Sequence, residues 1–379
     1  MKFIIKKIEN TLNRDIKEFN IILVSFLCII FLVGVGLVSY KINSSYALFS
    51  DDISGEKTIE IEVSPPMSAA RFLMKSAGRG GVREVVHEAD DTLQIGNTED
   101  LTEYRFVGSD DVVTNNYVYF NCSDINNQTA DTCELYRIIG VFPVDDGTGN
   151  IENRVKLIKA ENYGNNYFDN DSIQVSNFDV DTDNNDLISR DDNYKFSKLV
   201  SYGDDASNGQ SNWSESTLKT ILNTTYYNNI SGQYRDLIDD SKYYLGSTGS
   251  FNEEIDNIYM FERKIEGTSY FASGYPSYWN GKIGVMYVSD YGYACSCLNF
   301  LCNRNNAQIF DCWLFNDIEW LIAPQLGVTY IVYYVNSNGN IGVHNVDVSS
   351  GVRPVFYLTS DAEFVDGDGS IDNPYQLLK

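Results

Sequence analysis

The sequence predicts an α+β protein: an ectodomain of small twisted antiparallel sheets, few helices and long loops, preceded by one transmembrane helix. Three observations carry this. Residues 19–40 form a run of 22 positions without a charge, and at about 1.5 Å of rise per residue such a helix covers the hydrocarbon core of a bilayer. From Tyr104 onward, short aromatic and β-branched runs alternate with Asn, Asp and Gly, the pattern of strands and turns. One later segment, Ser216 to Tyr227 behind Trp213, has helical spacing, with Leu218, Ile221, Leu222 and Thr225 along one face.

Charge supports the same division. The 379 residues include 53 acidic and 28 basic side chains, a formal charge of −25. Up to Lys41 there are six basic residues against three acidic ones, so this part is +3 and the remainder carries −28. Lys6, Lys7, Arg14 and Lys17 are expected to hold residues 1–18 in the cytoplasm, leaving 41–379 outside and making the membrane a partner through the N-terminal helix. The rival reading is a cleaved signal peptide, because Ser45 and Ala47 are small residues at the minus-three and minus-one places of a cleavage site after Ala47. Cleavage would make the protein secreted. So acidic a chain repels phosphate, which excludes a nucleic-acid partner held by phosphate neutralisation. A hydrophobic fraction of 43% excludes wholesale disorder.

In chain order, residues 41–103 read as a stalk and linker. An alternating run from Thr58 to Val63 stops at Pro65-Pro66, a short helix is capped by Ser68 and ended by Gly78, and 79–103 form a connector in which His87 is exposed. The extracellular domain then occupies 104–379. Its predicted strands are 104–107, 117–121, 134–142, 155–159, 258–265, 282–288, 330–335 and 352–358. Asn338-Gly339 supplies the positive φ of a hairpin turn between 330–335 and a polar strand that carries His344. Pro354 donates no ladder hydrogen bond and therefore belongs at an edge or a start. Acidic, Asn-rich loops connect these pieces, notably 162–193.

Seven cysteines are present. Cys28 lies in the apolar helix as a small hydrophobic residue. The other six, Cys122, Cys133, Cys295, Cys297, Cys302 and Cys312, read as disulfides in an oxidising exterior. Cys122 with Cys133 closes a short loop between two strands; the remaining four can join in three ways. A zinc cluster on those four lacks paired CxxC knuckles and a nearby histidine, and no histidine is placed as the base of a catalytic thiol.

Ala47-Leu48-Phe49-Ser50-Asp51 resembles the mature N-terminus of the camelysin and TasA-like secreted fibre proteins, which implies cleavage and a structural role in a fibre. A longer resemblance rests on Asn116-Tyr-Val-Tyr-Phe120, Tyr136-Arg-Ile-Ile-Gly140, Trp213 with Leu218 and Leu222-Asn223, Gly284-Val-Met-Tyr-Val-Ser-Asp290-Tyr291, Trp320-Leu321 with Pro324, Gly351-Val-Arg-Pro354, and Gly367-Asp-Gly369 with Asn373-Pro-Tyr375. These pieces resemble a family of surface proteins of low-GC Gram-positive bacteria. Their Trp-Leu, glycine-turn hairpin and Val-Arg-Pro strand are similar to the C-terminal core of the C-type-lectin-like fold, shared by formylglycine-generating enzymes and the variable proteins of diversity-generating retroelements. The resemblance implies two small sheets with loops that carry recognition. Formylglycine-generating enzymes need a cysteine pair near the C-terminus; no cysteine follows Cys312 here, so their oxidase chemistry does not transfer.

Hard oxygen ligands make calcium the expected cofactor, if there is one. Asp181, Asp183, Asn185 and Asp192 fall at the ligand places of a calcium loop, although Asp186 stands where the turn wants glycine and Asp192 where glutamate is usual. Asp366, Asp368, Ser370 and Asp372 invite the same thought, although the resemblance to the surface-protein family implies a closing turn there. Asp290 reads as a cap on backbone amides rather than a catalytic acid. With 27 tyrosines and 38 asparagines the loops have the composition of a recognition surface, or of an AT-rich genome, and Trp279, Trp313, Trp320 and Tyr334 are the candidate ligand face. The expected function is a non-catalytic surface module binding an extracellular glycan or protein; an extracellular hydrolase using two carboxylates is the alternative.

Overall fold

The computed structural model describes residues 67–107, 114–167, 211–250, 253–265, 269–271, 274–297, 312–346 and 348–378. The segments predicted as cytoplasmic, membrane-spanning and stalk up to residue 66, and the cleavage site after Ala47, lie outside these residues. Among the described residues no helix is long and apolar enough to cross a membrane.

From Met67 onward the architecture is mixed α+β with sheets predominant. Along the chain come α1 (Ala69–Lys75), β1 (Val82–His87), β2 (Leu101–Phe106), β3 (Tyr117–Phe120), β4 (Glu134–Asp145), β5 (Ile151–Lys159) and β6 (Gly164–Tyr167). The middle holds α2 (Thr217–Ile221), α3 (Tyr227–Asn229), α4 (Gly232–Arg235), β7 (Ser241–Tyr244), α5 (Ile255–Glu262), β8 (Tyr278–Gly281), β9 (Ile283–Gly284) and α6 (Val288–Ala294). The C-terminal part holds β10 (Glu319–Pro324), β11 (Ile331–Val335), β12 (Ile341–Asn345), β13 (Ser349–Val352), β14 (Val355–Tyr357), β15 (Glu363–Asp366) and β16 (Gln376–Leu378).

A seven-stranded sheet has the order β1-β2-β4-β5-β14-β9, with β3 also paired to β4. The twelve-residue β4 is long enough to carry β3 against its first half and β2 against its second. Gly140 marks the change, since a Cβ there would come within 2.4 Å of the Tyr104 carbonyl oxygen. A five-stranded sheet has the order β12-β11-β10-β13-β6, with β10 and β13 parallel. Its central strand β10, Glu-Trp-Leu-Ile-Ala-Pro, is buried at every position, as a strand covered on both faces must be. The chain passes from β13 in one sheet to β14 in the other through Arg353-Pro354. Pro354 therefore starts a strand that lies between β5 and β9, and is not at an edge.

The hairpin turn forms as expected. Asn336 Oδ1 accepts from the amides of Asn338 at 2.9 Å and Asn340 at 3.1 Å, and Gly339 alone of the pair takes positive φ, +67°. Ser68 caps α1 by accepting from the Arg71 amide, and Gly78 has φ +79°. The predicted 216–227 helix begins on Ser216 but is interrupted by a π turn over Leu222–Tyr226, which turns both Leu222 and Tyr226 inward.

Three expectations need correction. Residues 79–103 are not a linker: they contain β1 and the start of β2, paired in register from Val82–Phe106 to His87–Leu101. Residues 258–265 are not a strand but the end of α5 and its exit. Ile255, Ile258, Tyr259 and Glu262 are its buried positions, a helical spacing that a short apolar window hides. Of the predicted strand 282–288 only Ile283–Gly284 pairs, with β14, before α6 begins at Val288.

Candidate functional site

The nominated ligand face does not gather in one place. Trp320 and Tyr334 are paired neighbours on β10 and β11, with Gly342 of β12 next in the row; a Cβ on Gly342 would meet the Tyr334 ring at 2.8 Å. His344 closes the group, its ring 5.1 Å from that of Tyr334 and 6.2 Å from that of Trp320. Trp320 is the buried floor, its Nε1 donating to the Asn166 carbonyl at 2.8 Å, so it faces the core and not solvent. Tyr334 and His344 are half-buried. Trp279 lies elsewhere, on β8 against Trp213 and Tyr243. Trp313 donates to the Phe106 carbonyl at 3.2 Å and lies under the Arg137 guanidinium.

Of the calcium-loop residues, Asp181, Asp183, Asn185 and Asp192 lie outside the described residues. The Asp366–Asp372 stretch is a closing turn: Asp368 accepts from the Ser370 amide at 3.0 Å, and Gly367 and Gly369 have positive φ. Cys122 is bonded to Cys133 and Cys295 to Cys312; Cys297 is also disulfide-bonded, and Cys302 lies outside the described residues. Cysteines so bonded are not thiolate ligands, and among the described residues no group of His, Cys, Asp and Glu is arranged to hold a metal.

A cluster that the sequence did not announce lies where β2, β5, α5 and α6 meet. Alternate residues on β2, Glu103 and Arg105, turn to the same side, and Lys156 reaches the same interior from β5. Asp290 stands at the third position of α6, where its Oδ2 accepts from the Tyr287 amide at 3.0 Å, the capping role the sequence predicted. The same carboxylate meets Lys156 Nζ at 2.5 Å and Arg105 Nη1 at 3.2 Å. Arg105 Nε donates to Glu103 at 2.7 Å, and Glu103 also accepts from Tyr259 at 2.7 Å and faces His87 at 3.4 Å. Arg263 pairs with Glu262 at 2.9 Å, and Glu262 accepts from both the hydroxyl and the amide of Ser289. His87 is thus buried, stacked on Tyr259 at 3.5 Å, and not exposed as its place in a presumed linker suggested.

Three cations and three carboxylates are therefore sealed together, walled by the rings of Phe142, Tyr259, Tyr287, Tyr293 and Tyr357. Burial would raise Asp290, but Lys156 and Arg105 outweigh it and hold the carboxyl below its ordinary value. Burial opposes ionisation of Glu103 as well, and Arg105 foremost, with His87 and Arg263, overrides it. Glu262 goes the other way: burial raises it despite Arg263 and Ser289. Lys156 is brought down to about 8 by burial, against the pull of Asp290. The Lys156–Asp290 pair is asymmetric because Asp290 has two cations while Lys156 has one carboxylate. The sequence signals for this cluster were slight: a lysine inside the apolar run Val-Lys-Leu-Ile, and the acid–base alternation of Glu103 and Arg105.

A separate pair sits at the sheet crossing. Arg353 donates through Nε and Nη2 to both oxygens of Glu319 at 2.6 Å, and through Nη2 to the Leu314 carbonyl at 2.5 Å. Burial raises Glu319 in spite of Arg353.

Residues 183–360 match the model of a domain of unknown function, DUF6273. No curated protein matches the chain, and no solved structure does. The matched segment supplies only β9 and β14 to the seven-stranded sheet, whose other strands precede it.

Proposed function

We propose that this is an extracytoplasmic surface module, anchored by its N-terminal helix, that binds a glycan or protein ligand through a C-type-lectin-like domain without catalysing a reaction. The observation that carries the reading is the aromatic step of Tyr334 and His344 over the buried Trp320. Half-buried rings with polar tips, on the strands at one margin of the five-stranded sheet, offer flat apolar contact and hydrogen bonding together. The two disulfides fit an oxidising exterior. The carboxylates that do come together, Glu103, Glu262 and Asp290, are tied to cations in a sealed interior, so a sugar and a hydrolytic water have no approach to them.

The test is to present the ectodomain to glycan and protein arrays with and without calcium. A ligand retained on the wild type, with affinity about tenfold weaker for Tyr334→Ala, is the expected result. Absence of binding in both conditions would overturn the proposal, and dependence on calcium would bring in Asp181, Asp183, Asn185 and Asp192.

A further inference from the structure

We infer that Lys156 and Asp290 are a self-modification site, at which the lysine Nζ and the Asp290 carboxyl condense to an intramolecular amide joining β5 to α6. Both side chains are fully buried, and their reacting groups are in contact although 134 residues separate them in sequence. Holding an amine against a carboxyl group in this way lowers the entropic barrier that a bimolecular reaction would face.

The surroundings favour the amine and the developing oxyanion. Rings of Tyr287, Tyr357 and Phe142 stand 4.3, 5.1 and 5.3 Å from Nζ and help to seal it from water. Burial accordingly brings Lys156 down to about 8. Arg105 Nη1, 3.2 Å from Asp290 Oδ1, faces the oxygen on which negative charge builds when Nζ adds to Cγ. The Cγ–N bond forms and the Cγ–Oδ2 bond breaks. Two of the three ammonium protons pass to Oδ2, which leaves as water, and the third remains on the amide nitrogen. No oxidant, reductant or further reactant is needed.

The product suits the site as well. Condensation removes one cation and one anion together, leaving Arg105 and Arg263 balanced by Glu103 and Glu262. The remaining carbonyl oxygen, Oδ1, keeps the Arg105 contact, whereas the Tyr287 amide, which is bonded to Oδ2, gives up that acceptor with the departing water. A sealed interior keeps out the water that would reverse the step.

Mass spectrometry of the full chain after reduction, alkylation and trypsin digestion tests this. Acylated Lys156 is not cleaved, so the expected product is a branched species joining 155–159 to 283–304, one water lighter than the two peptides. Asp290→Asn is expected to give the identical branched species by losing ammonia, and Lys156→Arg to give none. Recovery of 283–304 as a linear peptide at full mass, with cleavage after Lys156, in the wild type would overturn the inference. The wild-type digest decides the matter even if a variant fails to fold.

Discussion

The two main sheets bury charge in different ways. Beside the seven-stranded sheet, Glu103, Arg105, Lys156 and Asp290 from three elements form one ion-pair network, and the adjacent pair Glu262 and Arg263 lies beside it, tied to α6 through Ser289. At the five-stranded sheet one bidentate pair, Glu319 with Arg353, sits where the chain crosses between sheets, and most of the remaining interior is apolar, with Trp320, Leu321, Ile322, Val332 and Val335. The difference shows what each charge set holds. The network sets strands and helices against one another, whereas the pair fixes a single crossing. A buried ion pair gives little net stability compared with apolar packing, but removing one member strands the other, and the stranding costs more as the number of lost partners rises.

The sharpest way to break this comparison is to remove one acid from each region. Glu103→Ala leaves Arg105, Tyr259 and His87 without a shared acceptor and should cost about 5 kcal/mol, against about 3 kcal/mol for Glu319→Ala, whose Arg353 keeps the Leu314 carbonyl. Urea denaturation of both variants gives the two values; equal losses would mean that the network behaves as isolated pairs.

Next in size is the disulfide between β3 and β4. Replacing Cys122 and Cys133 together by Ser opens a loop with a sequence separation of 11 and should lower stability by about 2 to 3 kcal/mol. Reduced wild type, which also loses Cys295–Cys312 and the disulfide of Cys297, is expected to melt below the oxidised variant in thermal scans.

Acid should separate Glu103 by sign from the two raised acids, Glu262 beside the same sheet and Glu319 at the crossing. Glu103 ionises more readily folded than unfolded, so its contribution is complete above the ordinary carboxylate range and is lost as pH falls through its lowered folded value. Glu319 and Glu262 are raised by burial, so their contribution is present at low pH and is lost as pH rises through their folded values. Hydrogen exchange compared between neutral pH and about pH 3 should therefore show protection falling in β1 and β2 while β10 and β13 hold. A uniform loss would refute this division. The smallest effect expected is Ser68→Ala, about 1 kcal/mol, because it removes one cap bond from a short helix packed on the seven-stranded sheet.

Much of the local structure was legible beforehand. The hairpin at Asn338-Gly339, the cap at Ser68, the capping role of Asp290 and the strands β3, β4 and β11 each follow from a few adjacent residues. The misread segments share a physical cause. Ile258 to Ile265 has the composition of a strand, and only its burial spacing marks most of it as helix. Residues 79–103 are rich in glycine and charge, and β1 and β2 are stabilised by pairing with each other and with β4, which a local window does not contain. His87 was misjudged for the same reason.

By itself the sequence determined what short range decides: an acidic, cysteine-bearing α+β chain, its turns and caps, and a charge asymmetry pointing away from nucleic acid. Tertiary structure alone decided which charges meet. Lys156 and Asp290, 134 residues apart, and Arg105 and Asp290, 185 apart, are brought together only by the stacking of strands and helices. The same holds for the burial that gives those contacts their chemistry, because desolvation belongs to the assembled interior and not to any stretch of chain.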